Sequence, residues 1–409
     1  MSCITLIKHY EKYNYFLSNT TYAFYIEDEN GTKSFSDSAP TSTNFSVDVS
    51  CDNGASGSWD YDSWGPKIRN ITVVGTKCIF TFAPKRPTLV EYITTLAQTD
   101  KTNLATDEAG NTRYIGKNPN NYVSVDGDIW RIIGVMKNVD DGSGNKEDRV
   151  KIIRSESIGG YSWDTSASNV NNGNGVNEWS QADLMKLLNP GYESETVGGS
   201  LYWNSGSGTC YNATNNGTTS CDFTSVGIKD KLKTLIGDAV WNTGSNGTNG
   251  YASSSNGLTK HFYTYERSDN TGKICSSGDF CNDTVARTTT WTGKVGLMYP
   301  SDYGYVTSGG STTDRAACLN KELYNWNGSS VSDCKNNDWL FNSSYQWTIS
   351  PFAHPSYANF VFYVRYGGHV GSSTAYGGYV VRPVVYLTTL VVVQSGDGSS
   401  SNPFILSEK

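Results

Sequence analysis

Eight of the nine cysteines fall into four pairs that are close in sequence: Cys51 with Cys78, Cys210 with Cys221, Cys275 with Cys281, and Cys318 with Cys334. Only Cys3 is left over. Each pair brackets a loop rich in Gly, Asn and Ser. Metal centres use tight CxxC or Cys/His clusters, and this sequence has none, so no metal is expected. Disulfide staples are the better reading, and free thiols in a reducing compartment are the alternative. A staple across a loop of this kind adds about 2–4 kcal/mol by restricting the unfolded chain. Disulfides persist in oxidising compartments, so the chain is expected to be extracellular or at the cell surface.

The rest of the composition agrees with that reading. The chain has 409 residues, of which 17% are charged and 13% aromatic, with 27 Tyr and 11 Trp. That aromatic content supports a folded core, because disordered chains lack it. The net charge is −7 and the basic residues do not cluster, which argues against a nucleic-acid partner. No apolar run reaches the roughly 18–20 residues of a membrane helix. Met1–Lys12 carries no signal-peptide core, so any export or membrane anchor segment is expected to be absent from this chain.

Punctuation along the chain predicts five segments: an N-terminal segment 1–21, a small β domain 22–83, a linker 84–120, a large domain 121–390 and a tail 391–409. In the small domain, Tyr22–Glu27 and Lys33–Phe35 flank Asn30-Gly31, a hairpin signal. Phe45, Val47 and Val49 alternate with polar residues, and Cys78-Ile-Phe-Thr-Phe82 reads as a second strand. A Cys51–Cys78 bond would then tie together a small Ig-like sandwich. In the linker, Thr88-Leu-Val-Glu91 matches a capping box for a short helix. In the large domain, Asp126-Gly127 sits between apolar strands. Ser180-Gln-Ala-Asp183 reads as the cap of one helix, and Ile228 to Val240 has helical spacing for a second. Aromatic strands close the domain. The fold class is therefore α+β, with a mostly antiparallel sheet and two helices.

Signals of catalysis are weak. The four histidines show no i, i+4 pairing, no GxSxG elbow occurs, and no Gly-rich loop has the phosphate-binding spacing. The Asp-Gly runs lack the Glu of a calcium loop. No catalytic residue and no cofactor is expected. The unusual stretch is 352–379, where Tyr, Ser, Asn, Gly, His and Arg dominate without charge runs. Tyr offers large contact area at low entropy cost, and small polar residues adapt their hydrogen bonds, as in antibody paratopes. A hairpin that merely fills a sheet is the plain alternative.

Trp347-Thr-Ile-Ser-Pro351, then Val361-Phe362, Val364, Gly368, Val370 and Ala375, then Arg382-Pro-Val-Val-Tyr-Leu387 resemble the variable region of diversity-generating retroelement target proteins. Further upstream, Asn121-Tyr-Val, Trp130-Arg-Ile-Ile-Gly134, Ser162-Trp-Asp164, Asn177 through Gly191 and Gly296 through Asp302 resemble surface proteins of that group from gut Firmicutes. The resemblance covers about residues 110–390. It implies a C-type-lectin fold of the formylglycine-generating-enzyme type over 121–390, with a variable region at 352–379. Val380 departs from the family, which often has Gly before Val-Arg-Pro.

In this family, adenine mutagenesis turns AAC and AAT codons into codons for a restricted residue set. Phe352, His354, Pro355, Ser356, Tyr357, Asn359, Phe360, Tyr363, Arg365, Tyr366, His369, Gly371, Ser372, Ser373, Thr374, Tyr376, Gly377 and Tyr379 all fit that set. Lys, Glu, Gln, Trp and Met cannot arise this way and do not occur among them. The resemblance thus implies a displayed or secreted binding protein whose diversified side chains face outward onto a protein or glycan ligand of a cell or phage surface. The enzyme branch of that fold uses a reactive cysteine pair in this C-terminal region, but no cysteine follows Cys334, so catalysis is not carried over. A calcium-dependent lectin is the alternative, with Asn337-Asp-Trp339 holding suitable residue types in the wrong order.

Overall fold

The computed structural model describes residues 86–166, 175–193, 197–247, 257–268, 287–353 and 358–409, together with seven backbone strands between Ile4 and Pro84. The chain divides into two compact units, Met1–Arg86 and Pro87–Lys409.

In the first unit, Cys78–Pro84 pairs with Phe45–Cys51 on one side and with Ile4–Leu6 on the other, both antiparallel. Ile4–Leu6 therefore takes part in the sheet, although residues 1–21 read as a separate segment. Two hairpins complete the unit, Phe24–Glu27 with Lys33–Ser36 and Ser58–Asp62 with Gly65–Arg69. The first lies where Asn30-Gly31 predicted it. Cys51 and Cys78 stand opposite each other as Cα partners at the end of their ladder.

The second unit is α+β and mostly antiparallel sheet. Its larger sheet runs in the order Val295–Gly296, Val384–Tyr386, Lys146–Arg154, Asp128–Asp140, Tyr122–Val125, Phe404–Glu408 and Val391–Ser395. Leu104–Thr106 and Thr112–Tyr114 branch from the strand Asp128–Asp140. At the Asp126-Gly127 hairpin both residues take positive φ, 48° and 85°, the geometry that suits the right-handed strand twist. Helix Leu89–Thr99 lies against this sheet through buried Leu89 and Ile93. Its predicted capping box is present: Glu91 N donates to Thr88 Oγ1 at 3.2 Å, and Thr88 N donates to Glu91 Oε2 at 2.8 Å. Such a cap stabilises a helix by about 1 kcal/mol.

Three expectations need correction. The segment 84–120, read as a linker with a short helix, also supplies two sheet strands, with Leu104 and Tyr114 buried. The tail 391–409 forms an antiparallel strand pair of the same sheet, with Phe404 and Leu406 in the core. Helices are also more numerous than the three foreseen, one in 84–120 and two in the large domain, with seven α-helices among the described residues. The additional ones are short, and tertiary packing rather than a periodic apolar stripe holds them. Pro300–Tyr305, for example, is buried on every side. Its Asp302 accepts hydrogen bonds from Arg113 Nη1 and Lys151 Nζ, each at 2.5 Å, and from Tyr299 N at 3.0 Å. Helix Asp183–Leu188 exists, but Ser180 does not cap it. Ser180 bonds Glu178 instead, and the Asp183 carboxylate takes the N–H and hydroxyl of Thr165.

The smaller sheet runs Gly160–Tyr161, Tyr379–Val380, Gln346–Ala353, Phe360–Val364 and Val370–Thr374, with Asn246–Gly247 added parallel to Gln346–Ala353. One continuous hydrophobic cluster joins the two sheets. Among the predicted staples, Cys210–Cys221 and Cys318–Cys334 are bonded, with Cα separations of 5.9 and 5.4 Å. Cys3, Cys275 and Cys281 lie outside the described residues. No helix among the described residues is long and apolar enough to cross a membrane.

Candidate ligand-binding surface

The stretch 352–379 enters the smaller sheet as the end of one strand, two whole strands and the turns around them. Strands Phe360–Val364 and Val370–Thr374 pair antiparallel, with Val361 opposite Ser373 and Tyr363 opposite Gly371. Alternation along a strand sends neighbours to opposite faces. On one face, Phe362 meets Phe352 at 5.3 Å and Phe262 at 5.1 Å, and Phe360 meets Phe352 at 6.1 Å. This face is core.

The other face carries an aromatic platform. Tyr363 meets Tyr379 at 4.9 Å, Tyr345 at 5.7 Å and Trp347 at 6.0 Å. Tyr345 stacks on Tyr379 at 5.3 Å and touches Tyr366 edge-on at 5.3 Å. Trp347 and Tyr363 form the buried floor, Tyr345 and Tyr379 are half-buried, and Tyr366 is 60% exposed. The Tyr379 and Ser373 hydroxyls are 2.9 Å apart. Gly371 makes room at the centre, since a Cβ there would lie 3.2 Å from Arg365 Cδ and 3.6 Å from the Tyr363 ring.

The scaffold grips this stretch by its backbone. Asn177 Nδ2 donates to the carbonyls of Phe352 at 3.1 Å and Phe360 at 2.6 Å, and so holds the ends of two strands. Ser162 Oγ donates to Tyr376 O, Thr348 Oγ1 to Phe362 O, Tyr303 Oη to Gly368 O and Lys335 Nζ to Gly367 O, each at 2.7 Å. Trp163 N and Asp164 N both donate to Ala375 O, at 2.8 and 3.1 Å. A carbonyl is the same whatever side chain its residue carries. Beneath, Val361, Val364, Val370, Ala375, Val381 and Val384 are all buried.

The eighteen candidate positions do not behave alike. His354, Pro355, Ser356 and Tyr357 lie outside the described residues. Of the rest, Phe352, Asn359, Tyr363, His369 and Gly371 are buried. For these the outward-facing expectation is corrected: Phe352 packs on the core face of the sheet, whereas Tyr363 and Gly371 lie on the platform face but are covered by Tyr345, Tyr379 and Arg365. Phe360, Arg365, Ser372, Ser373, Thr374, Tyr376, Gly377 and Tyr379 are partly accessible, and Tyr366 is open. His369 rests edge-on against Tyr324 at 6.0 Å, and its Nδ1 has no hydrogen-bond partner. Burial, with Arg365 and Lys335 nearby, pushes its pKa down to about 4, so the ring is neutral at physiological pH.

Tyr345 belongs to the platform but lies upstream of the compositional stretch. Its spacing of two residues from Trp347 was the available signal, since i and i+2 share a strand face. Asn177, Tyr303 and Lys335 also escaped notice as anchors, because a carbonyl contact leaves no trace in composition. No group of three or more His, Cys, Asp or Glu side chains among the described residues is placed to hold a metal ion. No known protein family, curated protein or solved structure matches this chain.

Proposed function

We propose that this chain is a displayed or secreted binding protein whose ligand contacts the platform formed by Tyr345, Tyr366 and Tyr379 with the neighbouring Arg365 and Ser373. The observation that carries this reading is the backbone grip. Scaffold side chains from Ser162, Asn177, Tyr303, Lys335 and Thr348 hold the carbonyls of 352–379. The exposed side chains are thereby left free to differ between copies without loss of the frame. On this reading the second unit is a C-type-lectin-like domain of a retroelement-diversified protein, and the first unit is an Ig-like spacer. The two disulfides fit an oxidising location outside the cytoplasm. Aromatic anchors ringed by small polar residues suit a macromolecular surface, where a few Tyr side chains dominate affinity.

A displayed library tests this reading. The accessible positions Phe360, Arg365, Tyr366, Ser372, Ser373, Thr374, Tyr376 and Tyr379 are randomised to residues encoded by NNY codons, and binders are selected against bacterial surface extracts. Most members should fold and different members should select different ligands. A library that mostly unfolds would refute the proposal.

A further inference from the structure

A second feature lies outside the stretch 352–379. The second unit has an open cleft of about 650 Å3, a volume suited to a small organic ligand. Its lining includes Lys117, Tyr122, Arg131, Lys335, Asp338 and Trp339. Arg131 is held rigidly, its guanidinium 4.2 Å from the Tyr122 ring centre and 4.5 Å from that of Trp339. Arg131 Nε donates to Asn121 Oδ1 at 2.8 Å and Nη2 to Pro119 O at 3.4 Å, which leaves Nη1 without a protein partner. The residue is only 7% exposed.

Asp338 is 4% exposed. Its Oδ1 accepts from Leu340 N at 2.8 Å, and its Oδ2 has no partner. Burial raises its pKa well above the usual carboxylate range, which favours the neutral, protonated form. A buried polar atom without a partner is destabilising, and a ligand hydroxyl or carboxylate would relieve it. The charge balance points the same way. Lys117, Arg131 and Lys335 line the cleft together with Asp338, and none of the three forms an ion pair among the described residues. This positive cleft sits on a chain of net charge −7.

We propose that the cleft binds an acidic saccharide. The sugar's carboxylate would meet Arg131 and Lys117, its hydroxyls would meet Asp338, and its apolar ring face would lie toward Trp339 and Phe341. Phosphate or sulfate alone would satisfy the cations but not the aromatic wall or the Asp338 hydroxyl, and would leave most of the volume empty. Lys335 also donates to Gly367 O, so the cleft adjoins the turn at 366–368 while its own recognition groups lie outside 352–379. It therefore supplies a fixed specificity beside a changeable one, and it does not depend on the platform being a binding site.

The test uses digalacturonic acid, the neutral digalactose of the same linkage, and sodium sulfate, each titrated into the full chain by calorimetry. Digalacturonic acid should bind saturably and the neutral sugar at least tenfold more weakly. Lys117→Gln, at an exposed position, should weaken the acid about tenfold without moving the melting temperature. Arg131→Lys should weaken it similarly by losing the stacked planar fork. Tyr366→Ser should leave binding unchanged, which separates this site from the platform. Equal binding of the neutral sugar, sulfate binding as tight as the acid, or no saturable binding up to ~10 mM would each overturn the proposal.

Discussion

Tyr363 and Tyr379 meet ring to ring at 4.9 Å, yet one is buried and the other is partly open. The platform therefore has a structural floor and an exposed rim, and the two should respond differently to the same substitution. Tyr366→Ser removes a side chain that is 60% exposed, so stability should move within about ±0.5 kcal/mol. Tyr363→Ser removes a ring packed on Trp347, Tyr345 and Tyr379 and should cost on the order of 3 kcal/mol. Chemical denaturation of the two variants checks this. Equal losses would mean that the floor and rim are not distinct.

Affinity should follow the rim. With a ligand selected as above, Tyr366→Ser or Tyr379→Ser should act as a hot spot costing about 2 kcal/mol or more, while Ser372→Ala and Thr374→Ala should be near neutral. Surface plasmon resonance on the folded variants reads the difference. If neither tyrosine matters, the platform is not the contact surface.

Asn177 offers a test of the backbone grip. Its amide bonds the carbonyls of Phe352 and Phe360 from a fully buried position. Asn177→Ala removes both hydrogen bonds, at a cost of about 0.5–1.5 kcal/mol for each. Hydrogen exchange should rise across 352–360 more than across Val384–Tyr386. A uniform rise would show that the amide supports the core generally and does not specifically hold the two strand ends.

The parts that were legible in the sequence were local. Asp126-Gly127, the Thr88–Glu91 box and the sequence-local cysteine pairs each encode their geometry within a few residues, and the described examples formed. The parts that were missed depend on distant partners. Asp302 lies in a six-residue helix with no apolar period, and that helix is held by Arg113 and Lys151 from two strands. Tyr379 and Tyr345 share a face because residues 346 and 380 pair in parallel, a register that no local pattern announces. The same long-range pairing buries Tyr363 while leaving Tyr366 open, which codon arithmetic cannot distinguish. The cleft escaped for a similar reason, since Arg131 and Asp338 are far apart in sequence and nothing ties them together there.

The buried charges around Asp302 should prove structural. Arg113 and Lys151 hold its carboxyl well below the usual carboxylate range despite full burial. Asp302→Asn strands buried Lys151 and leaves Arg113 with Asp107 as its one carboxylate, and should cost about 3–5 kcal/mol. Lys151→Met loses the ammonium over the Tyr299 ring but leaves Asp302 paired with Arg113, and should cost less. Thermal melts would rank the two, and the reverse order would locate the energy in the ring contacts and not in the ion pair.

The last prediction concerns pH. His369 has a folded pKa near 4 against roughly 6.5 when unfolded. A depressed pKa means that the unfolded chain binds the extra proton first. The contribution of His369 to stability is therefore fully present above about pH 6.5 and is lost as the pH falls toward 4. Asp164 works in the opposite sense. Burial, with Asp183 beside it, raises its pKa to about 6, so its contribution is present at low pH and fades as the pH rises through that value. A melting curve of the unmodified chain sums these opposed slopes, so the informative quantity is a difference. His369→Asn has no titrating ring and keeps a residue type within the allowed codon set. Its melting temperature should gain on that of the parent chain as the pH is lowered from 7 to 4, and the gap should be smallest at neutral pH. A gap that stays constant across this range would show that His369 titrates alike in the folded and unfolded chain, contrary to its burial between Tyr324 and the cations of Arg365 and Lys335.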